Sequence, residues 1–149
     1  MTTELRLATL SHLPLLLPLV QAFHALEDLE TDSASLEKVL QPLFHDANLG
    51  GIWLIYHQAE LAGYIALCNG YSIEFGGKDA FIDELYLLPQ FRGQGLGTET
   101  LALIKIEARR LDIRALHLEV AHTNQPAQRL YRRAQFQPRD KYLSMTTWL

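Results

Sequence analysis

Nine residues, Gln90-Phe91-Arg92-Gly93-Gln94-Gly95-Leu96-Gly97-Thr98, constrain this chain more than any other stretch. They follow the apolar run Ala80 to Leu88, which reads as a strand stopped by Pro89, and precede Leu101, Ile104, Ala108 and Leu111, which share one helical face. A strand that turns through glycines directly into a helix leaves main-chain N–H groups unpaired at the positive end of the helix dipole. Glycines also let that backbone approach a ligand without Cβ interference. The turn therefore predicts an anion site, with Arg92 adding charge, although an ordinary tight connection would use the same residues. Two phosphate motifs fail on spacing. Thr98-Glu99 follow Gly97 where a Walker A loop requires lysine, and Gly93-x-Gly95-x-Gly97 is not the Gly-x-Gly-x-x-Gly of a dinucleotide fold.

The rest of the chain supplies a mixed sheet for this turn. Leu5 and Leu7 alternate as in a short strand, and Ser11 is placed to cap a helix running toward Ala25. Leu36, Val39, Leu40 and Leu43 have the spacing of a second helix. Ile52 to His57 and Leu61 to Cys68 read as a hairpin around Gln58-Ala59-Glu60, and Gly76-Gly77-Lys78-Asp79 reads as the turn into the strand Ala80 to Leu88. Ala115 to Val120 gives a strand, Pro126 to Ala134 a helix, and Leu143 to Leu149 a closing strand. The order β-α-α-β-β-β-α-β-α-β predicts an α/β fold of the α+β mixed-sheet kind, with residues 1–149 as one domain.

Charge is divided along the chain. Residues 1–90 carry 12 acidic and 3 basic side chains, and residues 91–149 carry 5 acidic and 10 basic ones, within a net charge of −4. Such a split suggests two halves facing different ligands. An acidic chain with no basic-aromatic stripe lacks the footprint of a nucleic-acid binder. Leu13 to Ala25 is interrupted by Pro14, Pro18, Gln21 and His24, so no membrane span is expected. One cysteine, Cys68, allows no internal disulfide, and no secretory leader is evident, so a reducing cytoplasm is the expected setting. Mid-strand Cys68 reads as a core residue, and the scattered histidines predict no metal site.

Gln90-x-x-Gly93-x-Gly95 with Leu96-Gly97 resembles motif A of the GNAT acetyltransferases. Val120-Ala121-x-x-Asn124-x-Pro126-Ala127-x-x-Leu130-Tyr131-x-x-x-x-Phe136 resembles their motif B. Asp83-Glu84-Leu85-Tyr86 and Asn124-Gln125-Pro126 look most like the diamine and polyamine acetyltransferases. The resemblance implies a GNAT fold, largely antiparallel at first, with a parallel, splayed pair formed by the fourth and fifth strands. It implies acetyl-CoA as cofactor, with backbone amides of Arg92, Gly93, Gln94, Gly95, Leu96, Gly97 and Thr98 on the pyrophosphate. Leu87, Leu88, Asn124, Ala127, Tyr131 and Arg133 would complete that site. Many relatives pair, so a homodimer is expected.

Acetyl transfer requires an ammonium to lose a proton and a thiolate to leave. The resemblance makes Tyr131 the acid for the sulfur, against the alternative of a buried aromatic staple, and makes Asp83 the base, with Glu84 its close rival. Successive strand residues face opposite sides, so only one of the two carboxylates should reach the acceptor unless a bulge intervenes. A backbone N–H near Leu87 or Leu88 would stabilise the developing oxyanion, a contribution of ~3 kcal/mol. Glu27 and Asp28, with Glu30 and Asp32, lie between the first two helices and either select a cationic small-molecule amine or form a solvated loop. Acetylation of a protein or peptide amine, and non-catalytic acyl-CoA binding, remain open alternatives. One departure stands out: relatives have glycine before the motif B phenylalanine, whereas Gln135 precedes Phe136, which would cost about 1 kcal/mol in a left-handed helix end.

Overall fold

The computed structural model describes residues 2–149, which divide into two compact units, one running to Glu119 and the other Val120–Leu149. In the first unit the chain runs β1 (Thr3–Leu7), α1 (Leu13–Leu26), α2 (Ser33–His45), β2 (Gly50–His57), β3 (Glu60–Ser72), β4 (Gly77–Leu87), α3 (Leu96–Arg110) and β5 (Ala115–His117). The strands form one sheet in the order β1-β2-β3-β4-β5. The first three pairings are antiparallel and β4 with β5 is parallel, as a helical crossover through α3 requires.

Alternation along β2 and β3 explains the layering. Ile52, Leu54, Tyr64 and Ala66 join Leu16, Leu19 and Val20 of α1 and Leu36 and Leu40 of α2 in one core. Trp53, Ile55, Ile65 and Leu67 fall between them and are equally buried, so the opposite face is covered too. On α3, which packs against β1, Leu101 and Ile104 are fully buried. The β2–β3 hairpin closes in two residues, Gln58 (φ 49°) and Ala59 (φ 67°), with the right-handed strand twist that positive φ at both positions favours.

Two irregularities in β4 set its exposed edge and its carboxylates. Ala66 pairs with Glu84 but its neighbour Leu67 pairs with Ile82, so Asp83 is the extra residue of a β-bulge. The parallel ladder covers only Asp79–Ala115, Ala80–Leu116 and Phe81–His117, leaving Ile82 to Leu87 without a β5 partner. The fourth and fifth strands therefore splay, as the resemblance implied.

Several local expectations are corrected. Ser11 does not cap α1; it lies in a 3-10 turn, Leu10–His12, where its hydroxyl meets Thr9 Oγ1 at 2.8 Å. The turn before β4 comes earlier than Gly76–Asp79, because β3 runs on to Ser72 and β4 begins at Gly77. The fifth strand ends at His117, not Val120. Leu143 to Leu149 form no strand, because none of them enters a ladder with another strand. Among the described residues no helix is long and apolar enough to cross a membrane.

In the second unit, α4 (Gln125–Arg133) starts at Asn124, whose Oδ1 accepts from Ala127 N at 3.2 Å. It ends in a Schellman motif. Phe136 N–H donates to Tyr131 O and Gln135 N–H to Arg132 O, each at 2.9 Å, with Gln135 at φ 71°. Tyr131 and Phe136 rings, at 5.9 Å, supply the apolar contact that accompanies this cap. The departure at Gln135 thus leaves the helix end unchanged and puts the strain on one residue. Helices α1 and α3 close the same way, with Asp28 (φ 55°) and Asp112 (φ 61°) at the left-handed position. Asp tolerates that conformation better than Gln does. Gln135→Gly is expected to raise stability by about 0.5 kcal/mol, the relief of strain outweighing the greater freedom of glycine in the unfolded chain. A lower denaturation midpoint would refute it.

Candidate active site

The glycine turn has the geometry of a main-chain cradle. Gly93 (φ 73°) and Gly95 (φ 85°) both occupy the left-handed region, and a Cβ built on either would meet nothing within 4 Å. The space beside them is open rather than packed. Gly95 is the N-cap of α3 and, having no side chain, makes no cap bond to the amides of the first turn, so those donors suit an anionic ligand. Gln94 Nε2 donates to Gln90 O at 2.8 Å and Arg92 Nε to Leu87 O at 2.9 Å, so both side chains brace the turn. Leu96 is buried beneath it, while Thr98 is exposed and Gly97 half-buried.

The splayed edge of β4 separates two residues the sequence left together. Leu88 N–H donates to Ala62 O at 2.8 Å and Leu88 O accepts from Phe91 N at 2.9 Å, so its backbone is already committed. Adjacent strand residues point their amides in opposite directions, which turns the Leu87 N–H toward the side β5 has left. Leu87, not Leu88, has the amide suited to an extended ligand or an oxyanion. These features fit a thioester-bearing ligand with a diphosphate at the helix terminus and an extended arm along β4.

The bulge changes the expected opposition of Asp83 and Glu84. Glu84 is half-buried and fixed at both oxygens: Tyr64 Oη donates to Oε1 at 2.7 Å and His24 Nε2 lies 2.6 Å from Oε2. Asp83 is exposed, yet both carboxylates act on the same neighbours. Burial first, then the charge of Glu84 and its hydrogen bond, with a smaller push from Asp83, drive the Tyr64 phenol far above the ordinary tyrosine range. It remains a donor. Burial, reinforced by Asp83 and Glu84, pushes the Cys68 thiol up to about 11, which leaves no thiolate for nucleophilic work.

No motif marks His24 or Tyr64 in the sequence, because His24 is 60 residues from Glu84 and Tyr64 is 20. The only available signal was polarity in an apolar run: His24 near the end of α1 and Tyr64 among Ala62, Ile65 and Ala66. In the loop after α1, Glu27, Asp28 and Glu30 are exposed, whereas Asp32 has a structural task. Its carboxylate caps α2 through Ser35 N at 2.9 Å and Ser35 Oγ at 2.8 Å, bonds that lower its pKa. In the second unit Tyr131 and Ala127 are half-buried on α4, and Arg133, its last residue, is exposed with Arg129 and Arg132. Asn124 spends Oδ1 on its cap.

Comparison with known proteins agrees with this arrangement. A family model described as "Acetyltransferase (GNAT) family" matches residues 19–136. Over 86 residues the chain is 44% identical to a Bacillus subtilis (strain 168) protein provisionally named a ribosomal-protein bS18 alanine N-acetyltransferase, covering 57% of this chain and 52% of that one. The chain spans about half the length of the curated relatives it matches. An integron cassette protein from the mobile metagenome of Cole Harbour Salt Marsh superposes with TM-score 0.86 at 29% identity, over 98% of this chain and 91% of the other. A predicted acetyltransferase from Clostridium acetobutylicum, solved with acetyl-CoA, superposes with TM-score 0.76 at 20% identity, over 97% and 96%. Motif A glycines at the N-terminus of α3, a splayed β4 edge and a family match across most of the sequence converge: this chain belongs to the GNAT acetyltransferase family.

Proposed function

We propose that the chain transfers acetyl from acetyl-CoA to a primary amine of a small cationic acceptor, a diamine, polyamine or amino-acid-like compound, by direct attack in a ternary complex. The observation that carries this reading is Glu84, a fixed carboxylate in an acidic half of the sequence. Tyr64 and His24 each use one lone pair on its two oxygens, so each oxygen keeps another for an ammonium or a bridging water. Exposed Glu27, Asp28 and Glu30 and the bulge residue Asp83 add negative charge that draws a cation.

Acetyl-CoA supplies an acetyl group activated as a thioester. Glu84 receives the proton from the acceptor ammonium, directly or through water, with Asp83 as the second carboxylate. The Leu87 N–H donates to the carbonyl oxygen as negative charge gathers there. Tyr131 protonates the departing sulfur, the role its motif implies. The amides of Arg92 to Thr98 hold the diphosphate; Asn124, Ala127 and Arg133 keep the cofactor role that the motif B resemblance implies. We infer further that residues 1–149 act as one acetyltransferase domain, as a homodimer in the cytoplasm.

A second reading has a specific observation behind it. Identity of 44% to the ribosomal-protein acetyltransferase favours a peptide α-amine as acceptor. Thiol release from acetyl-CoA, measured with diamines, amino acids and basic or alanine-terminated peptides, decides between them. Diamines and polyamines are expected to give kcat/KM at least tenfold above any peptide. The reverse order would establish the second reading, and no thiol release with any amine would leave an acyl-CoA-binding module.

A further inference from the structure

We propose that His24 is a positioning residue that ties the Glu84 carboxylate to the loop between α1 and α2, so that the base and the acidic acceptor loop are ordered together. The inference rests on the reading of Glu84 as base. Both ring nitrogens of His24 are engaged: Nε2 lies 2.6 Å from Glu84 Oε2 and Nδ1 lies 2.8 Å from Thr31 Oγ1. The side chain is 14% exposed and that of Glu84 17%, so water competes weakly for either bond. A carboxylate only accepts, which assigns a hydrogen to Nε2; Nδ1 and the Thr31 hydroxyl share the second bond.

The backbone reinforces the tie. His24 stands where the Schellman cap of α1 folds back, and its carbonyl accepts from Leu29 N–H at 2.9 Å. Leu29 and Thr31 are thus both held by this one residue, and Glu27, Asp28 and Glu30 are carried on the same short stretch. Leu16, Leu19 and Val20 bury the preceding turns of α1, and the Phe23 ring lies 6.0 Å from the imidazole, so the anchor itself is rigid. A cation drawn by the loop is therefore delivered beside a carboxylate whose rotamer the loop helps to fix.

The groups facing Glu84 define what a pH profile reports. Tyr64 from β3 and His24 from α1 hold its two oxygens, Cys68 from β3 feels its charge, and Asp83 and Tyr86 from β4 act on the same Tyr64 phenol. Of the two donors, His24 lies outside the sheet, so its loss leaves the carboxylate less stabilised as an anion while β3 and β4 stay intact. Removing it should move the acid limb of the pH profile for amine kcat/KM upward.

The test compares His24→Ala, His24→Gln and Thr31→Val by that profile, by acceptor KM against kcat, and by acetyl-CoA affinity. His24→Ala is expected to shift the limb and raise acceptor KM about tenfold with acetyl-CoA affinity unchanged. His24→Gln, which keeps an N–H for Glu84, should return the limb close to its original place. Thr31→Val should raise acceptor KM severalfold with the limb unmoved. An unmoved limb in His24→Ala, with rate lowered equally at every pH, makes His24 a scaffold residue and overturns the inference. Should that variant fold poorly, His24→Gln with a shifted limb overturns it as well. Glu84→Gln separates the two levels: retained turnover removes the base reading and this inference with it, whereas lost turnover beside an unmoved His24→Ala limb sinks only the inference.

Discussion

Glu84→Gln is expected to lower acetyl transfer by about 100- to 10,000-fold, the range a positioned general base contributes, while acetyl-CoA binds as before. The fold should survive because the amide can rebuild the network. Its oxygen accepts from Tyr64, and its N–H₂ donates to His24 Nε2 once the ring moves its hydrogen to Nδ1 and Thr31 turns to accept it. The charge does not survive, and neither does the capacity to take a proton. Asp83→Asn is the companion measurement. Asp83 is exposed at the bulge, where water competes for its oxygens and its rotamer, so a loss of less than tenfold is expected. Steady-state thiol release with the best acceptor checks both. A near-normal Glu84→Gln beside an inactive Asp83→Asn would transfer the base to Asp83, as the resemblance alone would have it.

Legibility in the sequence tracks the range of the interactions. The strand, glycine turn and helix from Ala80 to Leu111 were legible because each rests on local chemistry: apolar period, φ > 0 at glycine, and a proline stop. The register of β4 was not. Strict alternation sets Asp83 and Glu84 on opposite faces, and only the pairing of Ala66 with Glu84 and Leu67 with Ile82 shows the inserted residue. Tyr64 and His24 were invisible for a related reason, since their worth lies in contacts across 20 and 60 residues. Helix ends were half legible. Gly would have announced the left-handed cap after α4, but Gln135 adopts it because Tyr131 and Phe136 close over it. Leu143 to Leu149 read as a closing strand, yet a strand exists only through a partner, and local sequence alone does not supply one.

Gly95→Val should weaken acetyl-CoA binding by at least about 100-fold, roughly 2.7 kcal/mol, as measured by calorimetric titration. The cause is conformational before it is steric. At φ 85° the N-cap residue stands where a β-branched side chain is strongly disfavoured, although its Cβ would meet no protein atom within 4 Å. Valine would rotate the backbone out of the left-handed region, and the first-turn amides of α3 would turn with it. Gly95→Asn separates strain from occupancy. Asparagine tolerates the left-handed region, so the backbone stays, but its side chain enters the open space beside the turn where the diphosphate would lie. If those amides grip the ligand, the Asn variant keeps its fold and still loses affinity, by occupancy alone. Normal affinity in the Asn variant would mean that the diphosphate lies elsewhere, and normal affinity in both would remove the glycine turn from cofactor binding altogether.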